Sequence, residues 1–459
     1  MEMLLKFSYY NFIIPVKEKN VYILYNSLNN SLIEVSWEIG EKLITLKSDE
    51  IHFLPQSVIN TLVENGNIIP DSTDEQALIL QRELACRKKL ANEPTSHVVI
   101  ALTNMCNMRC VYCYEELPSS KDDMDIEKMK QILAQIINSG IKHLDIRWFG
   151  GEPLLKADII NELSTFMIEL CAERNIGYSA NIITNGTLLN QKNWDILLKS
   201  KVSTVQITVD GGSSSHNKKR ILPGRGSFDL ILDNLRLMPD NSFKVALRIN
   251  GDKEVFETIP EFFITMKERE LWPHKHKNIK LDYAQKFYFK NGKNESIDIY
   301  YSSYEYQTAQ KEFIKIKLQQ MNHFYKEKKK REGRIVYGYP KPAIFYCNVT
   351  ENKNNIVIDG KGSLYKCYAS IGNDEGKIGS IDNFNIEKNI DQSLCNFNKI
   401  QFSDCKLCKI LPICEQNCNY AAAKRVRSYT CSPWKFFMEE RMKGYYLQTF
   451  HKDNNVQTE

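Results

Sequence analysis

The sequence predicts an α/β protein built on a parallel sheet with helices outside it, and three observations predict this. Between His97 and about Gln285, strand-like runs alternate with amphipathic helical patterns through six repeats, the signature of β/α units. The first strand leads directly into a loop, Cys106-Asn107-Met108-Arg109-Cys110-Val111-Tyr112-Cys113, with thiols spaced C-x3-C-x2-C. The other cysteines gather toward the C-terminus instead of scattering. Loops leaving the C-terminal ends of parallel strands are where α/β proteins place their chemistry, so the thiols fall where a site belongs. Six units are fewer than the eight of a closed barrel.

Composition bounds the remaining possibilities. A chain of 459 residues is long enough for two or three domains. The expected division is a small module over 1–90, the β/α core over 91–290, a bridging helical region over 291–340, and a cysteine-rich domain with a terminal helix over 341–459. A net charge of +5 is mild, so no nucleic-acid partner is expected. No run of 18 apolar residues suggests a membrane span, and Met1–Phe7 lacks the form of a signal peptide. A cytoplasmic location follows, and there thirteen cysteines point to metal and not to disulfides. Cys86, Cys171 and Cys395 stand outside the two cysteine groups and read as incidental.

Taken in order, Tyr10–Val16 and Val21–Asn26 are strand-like and joined by the polar turn Lys17–Asn20, with Ser31–Val35 as a third run. Helical patterns follow over Trp37–Leu46 and Pro55–Asn65, the second stopped by Gly66. A linker and a helix around Asp74–Leu90 lead into the core. The core strands are His97–Thr103, His143–Phe149, Tyr178–Thr184, Thr204–Val209, Val245–Asn250 and Ile279–Ala284. The helices between them are Asp125–Ser139, Ala157–Arg174, Gln191–Lys199, Phe228–Met238 and Phe256–Glu270. Met129, Ile132, Leu133, Ile136 and Ile137 recur at three and four, as on a helix packed against a sheet. Tyr304–Glu332 reads as one long helix with a basic end, and Pro433–Phe450 as a last helix packed by Trp434, Phe437, Met438 and Tyr445.

Three thiolates this close can hold three irons of a [4Fe–4S] cluster and leave the fourth iron open to a small molecule, with half of a zinc site as the alternative. The stretch resembles the cluster motif of the radical S-adenosylmethionine (radical SAM) superfamily, whose core is a partial (β/α)6 TIM barrel. By that resemblance Cys106, Cys110 and Cys113 hold the cluster and Tyr112 lies near the adenine of S-adenosylmethionine (SAM). Gly150-Gly151-Glu152, after the second strand, resembles the motif that holds the SAM amino group. Thr184 and Asn185, after the third strand, resemble a polar SAM contact, and Thr208, Asp210 and Arg220, around the fourth, resemble ribose and carboxylate contacts. Arg248 and Asn250 are lesser candidates, and His216 reads as a structural loop histidine.

The second cysteine group runs Cys347-x14-Gly362-x4-Cys367, then Cys405-x2-Cys408-x5-Cys414-x3-Cys418, then Cys431. Ile356–Tyr365 reads as strand, turn, strand, a hairpin that brings Cys347 and Cys367 together. The pattern resembles the SPASM extension, the auxiliary-cluster domain of peptide- and protein-modifying radical SAM enzymes. The resemblance implies one auxiliary [4Fe–4S] cluster on Cys347, Cys367 and Cys418 and a second on Cys405, Cys408, Cys414 and Cys431. Seven thiols for eight iron positions leave one iron open, held by a non-cysteine group or by substrate, or reached by Cys395. Paired zinc sites are the alternative for these spacings.

The N-terminal order of three strands and helices resembles a winged-helix module that binds the leader of a precursor peptide as an added strand. Together these resemblances imply a maturase that uses a 5′-deoxyadenosyl radical to abstract hydrogen from a ribosomally made peptide and form a thioether or carbon–carbon cross-link. An external one-electron reductant such as flavodoxin or ferredoxin is implied as well. The enzyme alternative is an anaerobic sulfatase maturase, which makes formylglycine from Cys or Ser. That group carries a further cysteine shortly before the first SPASM thiol and an aspartate after the Gly-x4-Cys thiol; here 341–346 contain no cysteine and Tyr368 follows Cys367. The non-enzyme alternative is an iron–sulfur or zinc sensor or scaffold, which needs no SAM pocket.

Overall fold

The computed structural model describes residues 4–91, 93–113, 124–273, 278–286, 297–327, 335–343, 352, 354–384, 403–415 and 431–451. Cys347, Cys395 and Cys418 lie outside the described residues, as does the basic stretch from 328 onward.

The chain opens with β1 (Leu5–Phe7), β2 (Asn11–Val16), β3 (Val21–Asn26) and β4 (Ser31–Ser36), then α1 (Trp37–Thr45), α2 (Gln56–Glu64) and β5 (Ile68–Pro70). β2, β3 and β4 form an antiparallel meander, and β1 pairs separately with β5. Ser36 caps α1, its hydroxyl accepting from the Ile39 N–H. One face of this sheet, with Tyr22 and Leu24, packs on Leu43, Ile59 and Leu62 of α1 and α2. Alternate residues turn the other way: Ile14, Val16, Ile23 and Tyr25 share a core with Ile410, Ile413, Trp434, Met438, Met442 and Tyr446 from the far end of the chain. The N-terminal sheet is thus buried on both faces.

α3 (Glu75–Ala91) leads to the core: β6 (Thr95–Ala101), β7 (Arg109–Cys110), α4 (Ile126–Ile137), β8 (His143–Phe149), α5 (Ala157–Glu173), β9 (Gly177–Thr184), α6 (Gln191–Lys199), β10 (Val202–Thr208), α7 (Ser213–Lys219), β11 (Arg220–Ile221), α8 (Phe228–Arg236), β12 (Lys244–Gly251), α9 (Lys253–Glu257), α10 (Ile259–Glu268) and β13 (Ile279–Gln285). β6, β8, β9, β10, β12 and β13 lie side by side in chain order, every pair parallel. The six strands form the central parallel sheet of an α/β fold. Val98, Ile100, Leu144, Ile146 and Ile182 point outward onto Ile132, Leu133, Ile136, Ile160 and Leu163 of the helices. The opposite face carries Val99, Ala101 and Phe149 near the strand ends and a polar layer below them, where His97 Nδ1 lies 2.9 Å from Asp145 Oδ2 and Arg147 Nε donates to Asn181 at 2.8 Å.

The predicted helix over Phe256–Glu270 divides into α9 and α10 at Thr258, next to Pro260 near the second start. α11 (Ser303–Glu327) follows. The predicted hairpin is β14 (Ile356–Ile358) and β15 (Ser363–Tyr365), and with β16 (Lys377–Ser380) it extends the core sheet: β14 runs parallel to β6, pairing Ile356 with Val98. The segment carrying Cys367 is therefore built onto the strand that feeds the first cysteine loop. α12 (Ser403–Lys406) carries Cys405. In α13 (Trp434–Phe450) the buried stripe is Trp434, Met438, Met442 and Tyr446, recurring every four residues, while the predicted Phe437 and Tyr445 lie half-buried beside it against Tyr304 and Tyr339.

Candidate active site

The site lies at the C-terminal ends of the core strands. The loop after β6 carries Cys106 and Cys110, half-buried, and Cys113, exposed. Its backbone is fixed across the mouth of the sheet: β7 pairs antiparallel with β11, setting Cys110 opposite Arg220, and the Val111 N–H donates to the Lys219 carbonyl at 2.9 Å. Burial pushes the Cys106 thiol up to about 11, with Glu152 and Cys110 adding to the rise and the Met108 N–H opposing it.

Gly150 and Gly151 are required by this same loop. Gly150 has φ +119°, and a Cβ there would stand 2.3 Å from the Thr103 carbonyl oxygen; one on Gly151 would stand 2.5 Å from that of Met105. Their closeness lets Gly151 N donate to Thr103 O at 2.9 Å and Glu152 N to Met105 O at 3.0 Å. The turn after β8 is thereby docked on the chain entering the cysteine motif. The Glu152 carboxylate, fully buried, accepts from Leu154 N (3.0 Å), Thr184 Oγ1 (2.7 Å) and Asn185 N (2.7 Å). Burial pushes it above the usual carboxylate range, and these donors oppose the rise. Asn185 reaches back to the cysteine loop, its Nδ2 donating to Asn107 Oδ1 at 2.8 Å and lying 3.8 Å from Cys106 Sγ.

Across the mouth, Tyr112 is gripped by its hydroxyl. It donates to Asp210 Oδ2 at 2.5 Å and accepts from Arg220 Nη1 at 2.8 Å and Asn250 Nδ2 at 3.2 Å. Burial raises the Asp210 carboxyl, opposed chiefly by Arg220. Arg220, almost fully buried, stays charged against the cost of burial because Cys110, Tyr112 and Asp210 surround it. Its Nε is buried without a hydrogen-bond partner among the described residues, the condition of a donor that awaits an acceptor. His216 is structural, as expected: its Nδ1 accepts from Asp210 N at 3.1 Å and its Nε2 faces Ser227 Oγ at 3.0 Å. Thr208 ends β10, nearly buried and paired in register with Arg248.

The geometry thus brings Gly150, Gly151, Glu152, Thr184, Asn185, Asp210 and Arg220 against the loop that carries the cysteines and Tyr112, while Thr208 is placed only at the end of β10. It also adds a buried ionic group of Asp252 and Lys286, directly after β12 and β13, with Lys219, the last residue of α7. No motif marked these three; the only signal, for Asp252 and Lys286, was a polar residue directly after a strand. Asn250, a lesser candidate in the sequence, holds the Tyr112 hydroxyl.

Of the second cysteine group, Cys405, Cys408, Cys414 and Cys431 are neighbours. The Cys408 N–H donates to Cys405 O at 3.0 Å, and Lys435 Nζ approaches Cys431 Sγ at 3.7 Å. Burial raises the Cys408 thiol, and the neighbouring Cys414 and Cys431 add to the rise. Cys367 is buried beyond β15, its carbonyl accepting from Ser370 Oγ at 2.6 Å. Among the described residues no three His, Cys, Asp or Glu side chains close round a single ion. A cube of four irons, which spreads its thiolates wider than one ion does, suits four thiols that neighbour one another without converging on a point. At the first site, three thiols on one loop and a buried guanidinium whose Nε has no hydrogen-bond partner among the described residues suit a cluster with an anionic ligand beside it.

The radical SAM superfamily model matches residues 100–265. The radical SAM cyclopropyl synthase TigE of Paramaledivibacter caminithermalis is 24% identical over 270 residues, 52% of this chain and 56% of that protein. The cysteine-type anaerobic sulfatase-maturating enzyme of Clostridium novyi is 25% identical over 388 residues, 76% of this chain and 95% of that protein. The structure of anSMEcpe with bound AdoMet and Kp18Cys peptide shares the fold at TM-score 0.53 and 17% identity, covering 78% of this chain and 97% of that one. The chain spans from 38% to 56% of the length of the first curated relatives it matches.

Proposed function

Because the chain carries a radical SAM domain across residues 100–265, we propose that it is a peptide maturase, cross-linking a ribosomally made precursor in the cytoplasm, where thiols stay reduced. When bound, a [4Fe–4S] cluster and SAM supply a 5′-deoxyadenosyl radical on one-electron reduction. Cys106, Cys110 and Cys113 are the ligands for that cluster. Arg220 offers its unpartnered Nε to the SAM carboxylate, and Glu152, Thr184 and Asn185 hold the turn on which the rest of the molecule rests. Thr208 and Asp210 line the ribose side. The chain needs no protein base for hydrogen abstraction; its task is to exclude water and hold the target carbon near the radical.

The observation that carries a peptide substrate, as distinct from a small molecule, is the second cysteine group. Cys405, Cys408, Cys414 and Cys431 neighbour one another beside the N-terminal sheet, and this suits an auxiliary cluster that takes back an electron as a bond closes. Cys367, with Cys347 and Cys418, serves the other auxiliary cluster. β2 and β4 each have one edge without a strand partner among the described residues, which supports leader binding by strand addition. Flavodoxin or ferredoxin supplies the electron.

The match over 95% of the Clostridium novyi enzyme favours a second reading, formylglycine formation. Tyr368 argues against it: it stands where that group carries an aspartate, and its ring packs on Phe149 at 5.6 Å. The test is mass spectrometry of short peptides encoded beside the gene, after anaerobic incubation with the enzyme, SAM and dithionite. A cross-link removes two hydrogens, keeps any sulfur and leaves no aldehyde. A product trapped by a hydrazide would replace the cross-linking reading with the formylglycine one.

A further inference from the structure

Tyr112 stands between Cys110 and Cys113, and its hydroxyl is held by three partners. Its ring is held as well. Lys286 Nζ lies 4.8 Å from the centroid of the Tyr112 ring and 4.8 Å from that of Tyr300. Lys286 is the first residue after β13, and its side chain is 3% exposed. A lysine this deeply buried requires an anion, and Asp252 provides it: Oδ2 lies 2.6 Å from Lys286 Nζ, and Asp252 is wholly buried. The same oxygen takes Lys219 Nζ at 3.1 Å, while Oδ1 accepts from Val255 N at 2.8 Å at the start of α9. Lys219 is also the residue whose carbonyl receives the Val111 N–H. Asp252 therefore anchors two lysines, and both reach the cysteine loop, one through its backbone and one through the face of Tyr112.

The loop leaves β6, on one side of the sheet, and is fastened to residues at the ends of β10, β12 and β13 on the other. A desolvated ammonium on an aromatic face is attractive and directional, so it fixes where the ring lies as well as that it is bound. This ionic group, in which Lys219 Nζ also meets the exposed Glu254 Oε2 at 2.7 Å, is weak as a source of stability, because desolvation of the buried lysines and aspartate offsets most of the attraction. Its placement against Tyr112 gives it a different role.

We propose that Lys286 is a positioning residue for the cluster-binding loop. Its ammonium, oriented by Asp252, holds Tyr112 and thereby sets Cys110 and Cys113 relative to Arg220 and the rest of the SAM side of the mouth. This rests on the reading of Cys106, Cys110 and Cys113 as the ligands of a SAM-binding cluster. In this role Lys286 acts through Tyr112.

The test uses the full chain, reconstituted anaerobically and reduced, with the SAM-induced change in the electron paramagnetic resonance spectrum titrated against SAM. Lys286→Met keeps the length and apolar stem and removes the charge. Its iron content is expected to remain native, while the titration midpoint rises by about tenfold or more. Lys286→Arg, which restores a cation over the ring, is expected to return most of that loss. If Lys286→Met does not fold, Lys286→Gln poses the same question, since it keeps a donor to Asp252 and loses the charge. A native midpoint and native spectrum in the folded Met or Gln variant would overturn the proposal. An Arg variant as impaired as a folded Met variant would also overturn it, since a cation on the ring would then make no difference. If native protein itself shows no SAM-dependent change, the cluster reading fails instead, so the two failures are distinguishable.

Discussion

His216 shows how a single side chain is committed to structure. It is wholly buried, accepts a hydrogen bond at Nδ1 and so is held neutral, and burial lowers its affinity for a proton well below the ordinary value of 6.5, with Arg220 adding to the effect. The unfolded chain binds the proton more readily than the folded one, so this contribution to stability is intact above about pH 6.5 and is lost progressively as pH falls below it. Melting temperature measured from pH 7.5 down to 5 should therefore fall more steeply for the native chain than for His216→Gln. Parallel curves would show that His216 is not the group responsible. Glu152 and Gly151 teach a related lesson. A Gly-Gly-Glu run suggests a ligand, yet the backbone that needs both glycines belongs to Thr103 and Met105, and three donors to the carboxylate come from Leu154, Thr184 and Asn185. The motif builds the site by joining two of its loops.

Among the elements, the long amphipathic ones were legible because apolar residues recurred at the right period: the expected strand over His143–Phe149 and helix over Gln191–Lys199 match β8 and α6 end to end. β1 and β5, three residues each, are too short to show alternation. α7, Ser-Ser-Ser-His-Asn-Lys-Lys, has no apolar stripe to announce it. The parallel pairing of β14 with β6 joins residues more than 250 positions apart, and nothing local encodes it. Lys286 was hidden for the same reason, since its value lies in meeting Tyr112. The contact of the N-terminal sheet with the second cysteine group is another such meeting. Tyr9 Oη donates to Leu407 O at 2.6 Å, Ser27 Oγ to Lys409 O at 2.5 Å, and Tyr10, Leu28 and Leu411 pack beside Cys405, Cys408 and Cys414. A metal that fixes those thiols should also fix the sheet resting on them. Stripping iron with a chelator under anaerobic conditions should speed proteolytic cleavage within residues 1–95 several-fold. An unchanged rate would separate the two elements energetically.

At the scale of the whole molecule, the first and last parts of the chain meet around Tyr25, Ile413, Trp434 and Met442, and the cysteine-rich part extends the core sheet through β14. The two cysteine groups are thus carried by one continuous framework, with the six-stranded sheet between helices and a half-polar inner face. Among the described residues no helix is long and apolar enough to cross a membrane. The central claim is that this framework holds one SAM-binding cluster and two auxiliary clusters. The measurement that tests it most directly is iron and sulfide content of anaerobically reconstituted protein, with 5′-deoxyadenosine formation followed under dithionite. About twelve irons per chain, with 5′-deoxyadenosine formed by the native chain and not by Cys106→Ala, is the predicted result. Intact clusters with no SAM cleavage, or about four irons accompanied by zinc, would contradict it.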